Sequence, residues 1–466
     1  MKTVDILINN GIIATMDSQR RIIDDGSIAV KEDKILDIGA TDELRKKYTA
    51  KEVLDATKML VLPGLINCHT HARESLYRGI EDDLNLEQAS EKIYGPLDID
   101  PALSPRYTYI GTLLSCLTYI RTGTTCIADQ DVQTREVAAA IEKAGIRGVV
   151  APFMGETTGE FFGIEKLTKE QVIDDAVQFF KDWNGKAEGR IRCWFGPIHE
   201  LGASKELLTD IAALAEQYNT GIHIHLAEAK VEVDTIKKLY GKRSIEYAYD
   251  LGLLRRGTVV SHCCWLSPHD IALLANSGAS VAHCPVTEMR ISDGITPVPY
   301  LLEAGVNVTL GTDGAGIDNG SNDLIREMKT VTLLHKVGYP LDPAILTAEK
   351  ALEMVTVNGA KAVMWDNELG SLEKGKKADI ILIDMAKPQL TPILRKPKFN
   401  VINLLVYSAV GDDVDTVIVN GEIIMLHRKI LTLDEAKIME EAQAAAEELL
   451  ESTGVDRETF PWRWSI

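Results

Sequence analysis

Two histidines stand one residue apart at the end of an apolar run, Leu62-Pro-Gly-Leu-Ile-Asn-Cys-His-Thr-His71. In an extended strand, residues i and i+2 face the same way. His69 and His71 can therefore aim both imidazoles at one point, as two ligands of a single metal must. Three later stretches carry residues of the same kind. His223-Ile-His225-Leu-Ala-Glu228 sets two histidines on one face of a strand, with a carboxylate just beyond its end; Val259-Val-Ser-His262 ends in a histidine; Val308-Thr-Leu-Gly-Thr-Asp313 ends in a carboxylate. Taken singly, each reads as readily as a packed or surface residue. Taken together, three neutral imidazoles and one carboxylate suit one borderline divalent ion per chain, zinc before iron, with a position left open for water.

Such residues need a frame that brings distant strand ends to one place. From about residue 61 to 365 the pattern repeats strand, loop, helix. Strands are expected at Val61–Asn67, Thr124–Asp129, Gly148–Phe153, Ile191–Gly196, Gly221–Leu226, Thr258–His262, Ser280–His283 and Asn307–Gly311. Amphipathic helices separate them. In Ala203–Gln217, for example, Leu207, Leu208, Ile211, Leu214 and Ala215 share one face and Ser204 is placed to cap the N-terminus. Eight such units predict an α/β fold, a closed (β/α)8 TIM barrel, whose functional groups gather at the C-terminal ends of its strands. A doubly wound sheet is the competing arrangement, but no G-x-G-x-x-G or P-loop sequence supports it.

Residues 1–60 read as short strands (Val4–Ile8, Ile12–Met16, Ser27–Val30, Ile35–Ile38) parted by turns at Asn9-Asn10-Gly11 and Asp24-Asp25-Gly26. β-type sequence returns in 366–433, at Ala378–Asp384, Val414–Gly421 and Glu422–Leu426. The two segments are expected to join in one small composite β-sandwich. Residues 434–466 add a polar helix, Asp434–Ser452, and a tail.

The bulk numbers set limits. The 466 residues call for a large domain plus a smaller one, and a formal net charge of -19 weighs against nucleic acid and anionic membranes as partners. Seven scattered cysteines include no Cys-x-x-Cys pair, which fits a reducing compartment. No stretch of about 18 apolar residues suggests a membrane span. A soluble cytoplasmic protein acting on a small molecule is the expectation.

Further stretches make the pattern more specific: Ser75-Leu-Tyr-Arg-Gly79, Thr122-Gly-Thr-Thr125, His283-Cys-Pro, Gly294-Ile-Thr-Pro-Val-Pro299, Gly370-Ser-Leu-Glu-Lys-Gly375 and Ala378-Asp. With the stretches above, they resemble the amidohydrolase superfamily over nearly the whole chain. The branch is that of S-adenosylhomocysteine/methylthioadenosine deaminases and the triazine hydrolases. The resemblance implies that His69, His71, His225 and Asp313 hold the metal. It implies that Glu228 shuttles a proton to a substrate ring, and that His262, with Asp313, handles the attacking water. The activity it implies is deamination of a nitrogen heteroaromatic ring (triazine, purine, pterin or adenosine-type) by hydroxide generated at the metal. Expulsion of chloride from a triazine and cleavage of an amide are the alternatives on the same site. It also implies a homo-oligomer.

Substrate choice is expected to lie in the loops. Glu74, three residues past His71, is either a solvated loop charge or an acceptor for substrate amino groups. Asp98 stands where the resemblance places a ribose-gripping glutamate. His199, in Gly196-Pro-Ile-His-Glu200, is shifted by one residue from the family's histidine, which in extended chain turns it to the opposite face. These two departures weigh against a ribose-bearing substrate. His223 is expected to point into the site or support a ligand, His283 to be structural, and His269, His335 and His427 to be ordinary surface or helix residues.

Overall fold

The computed structural model describes residues 1–80, 84–89, 104–156, 167–316 and 319–453. Its centre is a ring of parallel strands: Leu65–Thr70, Thr124–Asp131, Arg147–Met154, Ile191–Cys193 continued by Gly196–Pro197, Ile222–Leu226, Thr258–His262, Ser280–His283 and Asn307–Leu310. Parallel bridges Phe195–Ile222 and His199–His225 join the fourth strand to the fifth. The amides of Thr312 and Asp313 donate to the carbonyl of His69 at 3.1 and 3.0 Å, which closes the eighth strand onto the first. The result is a TIM barrel.

Alternation along the strands decides what faces where. On the fifth strand Ile222, Ile224 and Leu226 join the core between strands and helices, while His223 and His225 point the other way, into the barrel. The lower barrel is filled by Ile66, Cys126, Val149, Trp194, Val259 and Trp365. Only the upper rim, at the strands' C-terminal ends, is left for polar groups.

The first barrel strand is shorter than its apolar run. Instead of one strand over 61–67, the chain forms Met59–Pro63 in a second sheet and Leu65–Thr70 in the barrel. The switch falls at Gly64, where a Cβ would lie 2.0 Å from Thr125 Oγ1, so only glycine lets the chain pass from one sheet to the other.

That second sheet has nine strands and is built from both ends of the chain. Met59–Pro63 pairs antiparallel with Ile380–Asp384, which joins the two segments. Residues of both pack in one core that includes Ile8, Ile28, Ile35, Val61, Ile380, Leu382 and Ile418. Two expected turns are absent. Lys2–Ala14 and Ile22–Lys31 run through Asn9-Asn10-Gly11 and Asp24-Asp25-Gly26 as continuous strands, with register shifts from Ile8 to Gly11 and from Gly11 to Ile13. The turn-type residues absorb these irregularities through the positive φ of Asn10 (64°) and Asp25 (51°). The helix Thr41–Lys47 and strand Tyr48–Asp55 were not anticipated.

The helix Lys205–Gln217 has Ser204 Oγ accepting from Leu207 N at 3.1 Å, as its sequence predicts. The C-terminal helix, expected over Asp434–Ser452, spans Glu435–Thr453. It buries Ile438, Ala442, Ala445 and Leu449, and its Glu435 and Glu448 pair with Arg121 and Arg106 of the helix Ser104–Arg121. Among the described residues no helix is long and apolar enough to cross a membrane.

Candidate metal and proton-transfer site

Four histidines and Asp313 converge at the upper rim. The His69 ring lies 4.9, 4.7 and 5.1 Å from those of His71, His225 and His262. Asp313 Oδ1 is 3.1 Å from His69 Nε2 and 3.4 Å from His71 Nε2, and its Oδ2 is 3.7 Å from His262 Nε2. The backbone is bent to achieve this. Ala227, His262, Cys263 and Asp313 all have φ between 55° and 69°. Each such non-glycine residue stores on the order of 1–3 kcal/mol, strain that collects where side chains must be aimed.

Hydrogen bonds fix the rings. His71 Nδ1 donates to Gln130 O and His225 Nδ1 to Ile198 O, each at 2.7 Å. A carbonyl only accepts, so the proton sits on Nδ1 and Nε2 offers its lone pair inward, the usual outer support of a ligating histidine. His69 Nδ1 lies 2.9 Å from His223 Nε2, and its inward Nε2 is buried without a hydrogen bond. His223 therefore supports His69 from behind. Burial, reinforced by the neighbouring imidazoles, holds His69 and His225 well below the ordinary histidine range, and brings His223 down to about 3. Neutral rings with free lone pairs are what a divalent metal requires.

By proximity alone, nitrogens of His69, His225 and His262 lie within 4.8 Å of one another, as do ligand atoms of His69, Cys284 and Asp313. Two observations favour His71 over the extra members. His262 Nδ1 has no hydrogen bond, so His262 lacks the orienting support that His71 and His225 possess. Burial and the nearby carboxylates of Asp313 and Glu288 push the Cys284 thiol well up, which disfavours the thiolate a metal needs.

Beside this cluster lies an acid. Glu228 is buried, with Oε1 3.5 Å from His262 Nε2. Burial, then Asp293, Glu232 and Asp313, push its carboxyl well above the usual range, which favours the proton-bearing form. Burial also holds His262 below its ordinary value, leaving it free to accept a proton.

Sequence reasoning missed two residues here. Glu288 accepts from His283 Nδ1 at 2.9 Å, Cys284 N at 3.0 Å and Thr296 Oγ1 at 2.8 Å. Burial alone would raise its carboxyl, but His283 and these donors outweigh it and hold it at about 2. Thr296 Oγ1 lies 2.6 Å from the His262 carbonyl as well, so this knot braces the strand end that carries His262. His283 is structural in this sense, as expected. Asp293, the second, is buried and is among the groups that push the Glu228 carboxyl up. Its only signal in sequence is its place next to the Gly294-Ile-Thr-Pro stretch.

The remaining expectations resolve unevenly. Glu74 is 5% exposed on the turn Ala72–Tyr77, so it is no solvated loop charge; Gly316, after Asp313, packs against it. His199 is half-buried, burial lowers it to about 4, and its Nδ1 accepts from Leu201 N at 3.0 Å, which leaves Nε2–H as a donor. Asp98 lies outside the described residues. His335 lies on the helix Leu324–Gly338, one of its two expected settings, and is buried there, which brings it to about 3; His269 and His427 are exposed.

Comparison with known proteins follows the same lines. The Amidohydrolase family matches residues 60–424. A 5'-deoxyadenosine deaminase of Methanosarcina mazei is 41% identical over 446 residues, 96% of this chain and 98% of that one. A 5-methylthioadenosine/S-adenosylhomocysteine deaminase of Pelotomaculum thermopropionicum is 38% identical over 443 residues, 95% of this chain and 98% of that one. Among solved structures, an adenosine deaminase from Xanthomonas campestris with bound zinc superposes with a TM-score of 0.90 at 25% identity, covering 97% of this chain and 99% of that one.

Proposed function

The chain belongs to the amidohydrolase family, and on that footing we propose that it removes the 6-amino group of an adenine nucleoside altered at its 5' position. It is a hydrolase of non-peptide carbon–nitrogen bonds, a deaminase of a nitrogen heteroaromatic ring. The observation that carries the reading is Glu228: a buried carboxyl, pushed well up by that burial, beside a cluster of imidazoles and one carboxylate. The departures at Asp98 and His199 weighed against ribose. Two relatives named for adenosine derivatives, matched over almost their whole length, support a ribose-bearing substrate more strongly.

We assign the metal to His69, His71, His225 and Asp313, with zinc as the ion. When bound, it supplies Lewis acidity that lowers the pKa of water from 15.7 to about 7. The protein's own groups move the protons. Glu228 gives its proton to the ring nitrogen next to the amino-bearing carbon, which makes that carbon electrophilic. Water's oxygen bonds to the carbon as Asp313, with His262 at 3.7 Å, takes its proton. That proton passes to the amine, the carbon–nitrogen bond breaks and ammonia leaves. The new hydroxyl returns a proton to Glu228 and becomes the ring carbonyl. Glu74 and His199 are assigned to substrate binding. The barrel, the composite sheet and the C-terminal helix are assigned as its units, and the seven free, buried cysteines support a cytoplasmic setting.

The test is ammonia release by zinc-loaded protein from 5'-deoxyadenosine, methylthioadenosine, S-adenosylhomocysteine, adenosine, guanine and melamine. Turnover should be greatest on a 5'-altered adenosine. Preference for melamine or guanine would refute the nucleoside assignment, and absence of ammonia from every ring would refute deamination.

A further inference from the structure

A cavity of about 480 Å³ opens at the end of the barrel opposite the metal-ligand cluster. Its place follows from the strands. Arg192 and Trp194 stand at the start of the fourth barrel strand, and Tyr218 and Asn219 lie just before the fifth, whose far end carries His225. The size is within the range of about 300–1,000 Å³ that suits a small molecule. The reaction described above makes no use of it.

The apolar part of its lining is aromatic: Trp194 and Trp365, both buried, and Phe180 and Tyr218, whose ring centroids are 4.9 Å apart. The polar part offers donors and acceptors. The Arg192 guanidinium lies over the Trp365 ring, 4.2 Å from its centroid, and donates to Met364 O at 2.6 Å and Glu368 Oε1 at 3.1 Å. A guanidinium has further N–H groups beyond those two. Glu188 supplies acceptors, and among the described residues its carboxylate closes no ion pair. The backbone around the cavity is strained. Ala187 (φ 52°, ψ 48°) and Glu188 (φ 58°, ψ 35°) are left-handed in succession, and Gly189 follows at φ 79°. Asn219 and Met364, also in the lining, have φ 48° and 59°. Residues with a Cβ enter this region singly and at a cost, and such strain collects where a ligand is held.

We propose that this cavity is a second binding site, for a planar nitrogen heterocycle of the purine class. The ring packs against the aromatic side chains, Glu188 accepts from a ring or amino N–H, and Arg192 donates to a ring nitrogen or carbonyl oxygen. A purely apolar ring would leave both polar groups unanswered. An organic cation would meet Arg192 and Lys377, and an anion would meet Glu188 and Glu368. The proposal uses none of the groups at the metal-ligand cluster, so it does not rest on the deaminase reading.

The experiment titrates zinc-loaded full-length protein by calorimetry with hypoxanthine, with adenine and, as an apolar ring of similar size, with indole. Wild type is compared with Glu188→Gly and Arg192→Gln. Glycine accepts the left-handed conformation at 188, so Glu188→Gly removes the carboxylate and keeps the turn. Each substitution should weaken purine binding at this site about 10- to 100-fold, the range for loss of a hydrogen bond to a charged group. Purine held at the metal-ligand cluster should keep its affinity in Glu188→Gly, and ammonia release from 5'-deoxyadenosine should be unchanged there. No purine binding, or purine binding that neither substitution weakens, would overturn the proposal, as would indole bound as tightly as hypoxanthine. Absence of ammonia from wild-type protein, with Glu188-dependent purine binding intact, would refute the reaction and leave the cavity's assignment standing.

Discussion

Glu228→Gln separates the proton donor from the metal site. The carboxyl is buried and is pushed up by that burial and by Asp293, which favours its acid form. Exchange for an amide therefore replaces a neutral group by a neutral group of the same shape. Folding stability and metal content should be unchanged. The amide cannot protonate a ring nitrogen, and burial keeps His262, 3.5 Å away, neutral and unsuited to replace the acid. The whole general-acid contribution, about 10²–10⁴-fold, should be lost. At 1.36 kcal/mol per decade this adds about 3–5 kcal/mol to the barrier. The assay is steady-state ammonia release from 5'-deoxyadenosine, with metal content measured on the same sample. A variant that holds its full metal and turns over within about threefold of wild type would refute the role of Glu228 and the reaction built on it.

Four other outcomes follow from the geometry. His225→Ala should lose the metal, whereas His262→Asn should keep it and lose about 100-fold or more in kcat; equal metal loss in both would move His262 into the ligand set. Removal of the metal by a chelator should lower the melting temperature, since an ion bound only to the folded state at about 1,000 times its Kd stabilises by about 4 kcal/mol; an unchanged melting temperature would argue against a structured ion site. Burial raises Glu200 and Glu327 to about 8 and Asp293 and Glu232 to about 7. The folded chain then binds more protons than the unfolded one between about pH 4.5 and 8, so stability should fall as pH rises through that window, and Glu200→Gln should flatten the fall in a pH series of thermal melts. Gly64→Ala would set a Cβ 2.0 Å from Thr125 Oγ1 and should destabilise by about 1–3 kcal/mol in denaturant melts, the range for overpacking.

The barrel was legible because its geometry translates position in sequence into position in space. A buried parallel strand reads as a continuous apolar run, and its C-terminal end must lie on the active rim. His69, His225, His262 and Asp313 could thus be placed together without knowing a single contact. The composite sheet was less legible. Tyr48–Asp55 is largely exposed and polar, so it has no apolar signature, and it is held by its pairing with Lys2–Ala14. At Asn9-Asn10-Gly11 the turn-type residues serve a bulge rather than a turn. Gly11 is required there by closeness, since a Cβ would lie 2.7 Å from Val61 Cγ2, a contact no local pattern announces.

The candidate site divides along the same line. Its members at or just past the end of a strand were readable, and those on the helix and loop after the seventh strand were not. Glu288 and Asp293 reach the site only because a short helix and an irregular loop fold back over the sixth strand's end, pinned by Thr296 to His262 O and by Trp265 to Asp293 O. Alternation fixes the direction of a strand residue, but no comparable rule fixes that of a loop residue, so a lone aspartate in such a segment reads as solvated surface. The surroundings give it a different character. Four carboxyl groups, Glu228, Asp293, Glu232 and Glu200, are all pushed up by burial. Burial there costs stability as pH rises, and its return is an acid whose proton-bearing form is favoured. The chemistry thus depends on the strands for the metal's ligands and on the loops for the state of the proton.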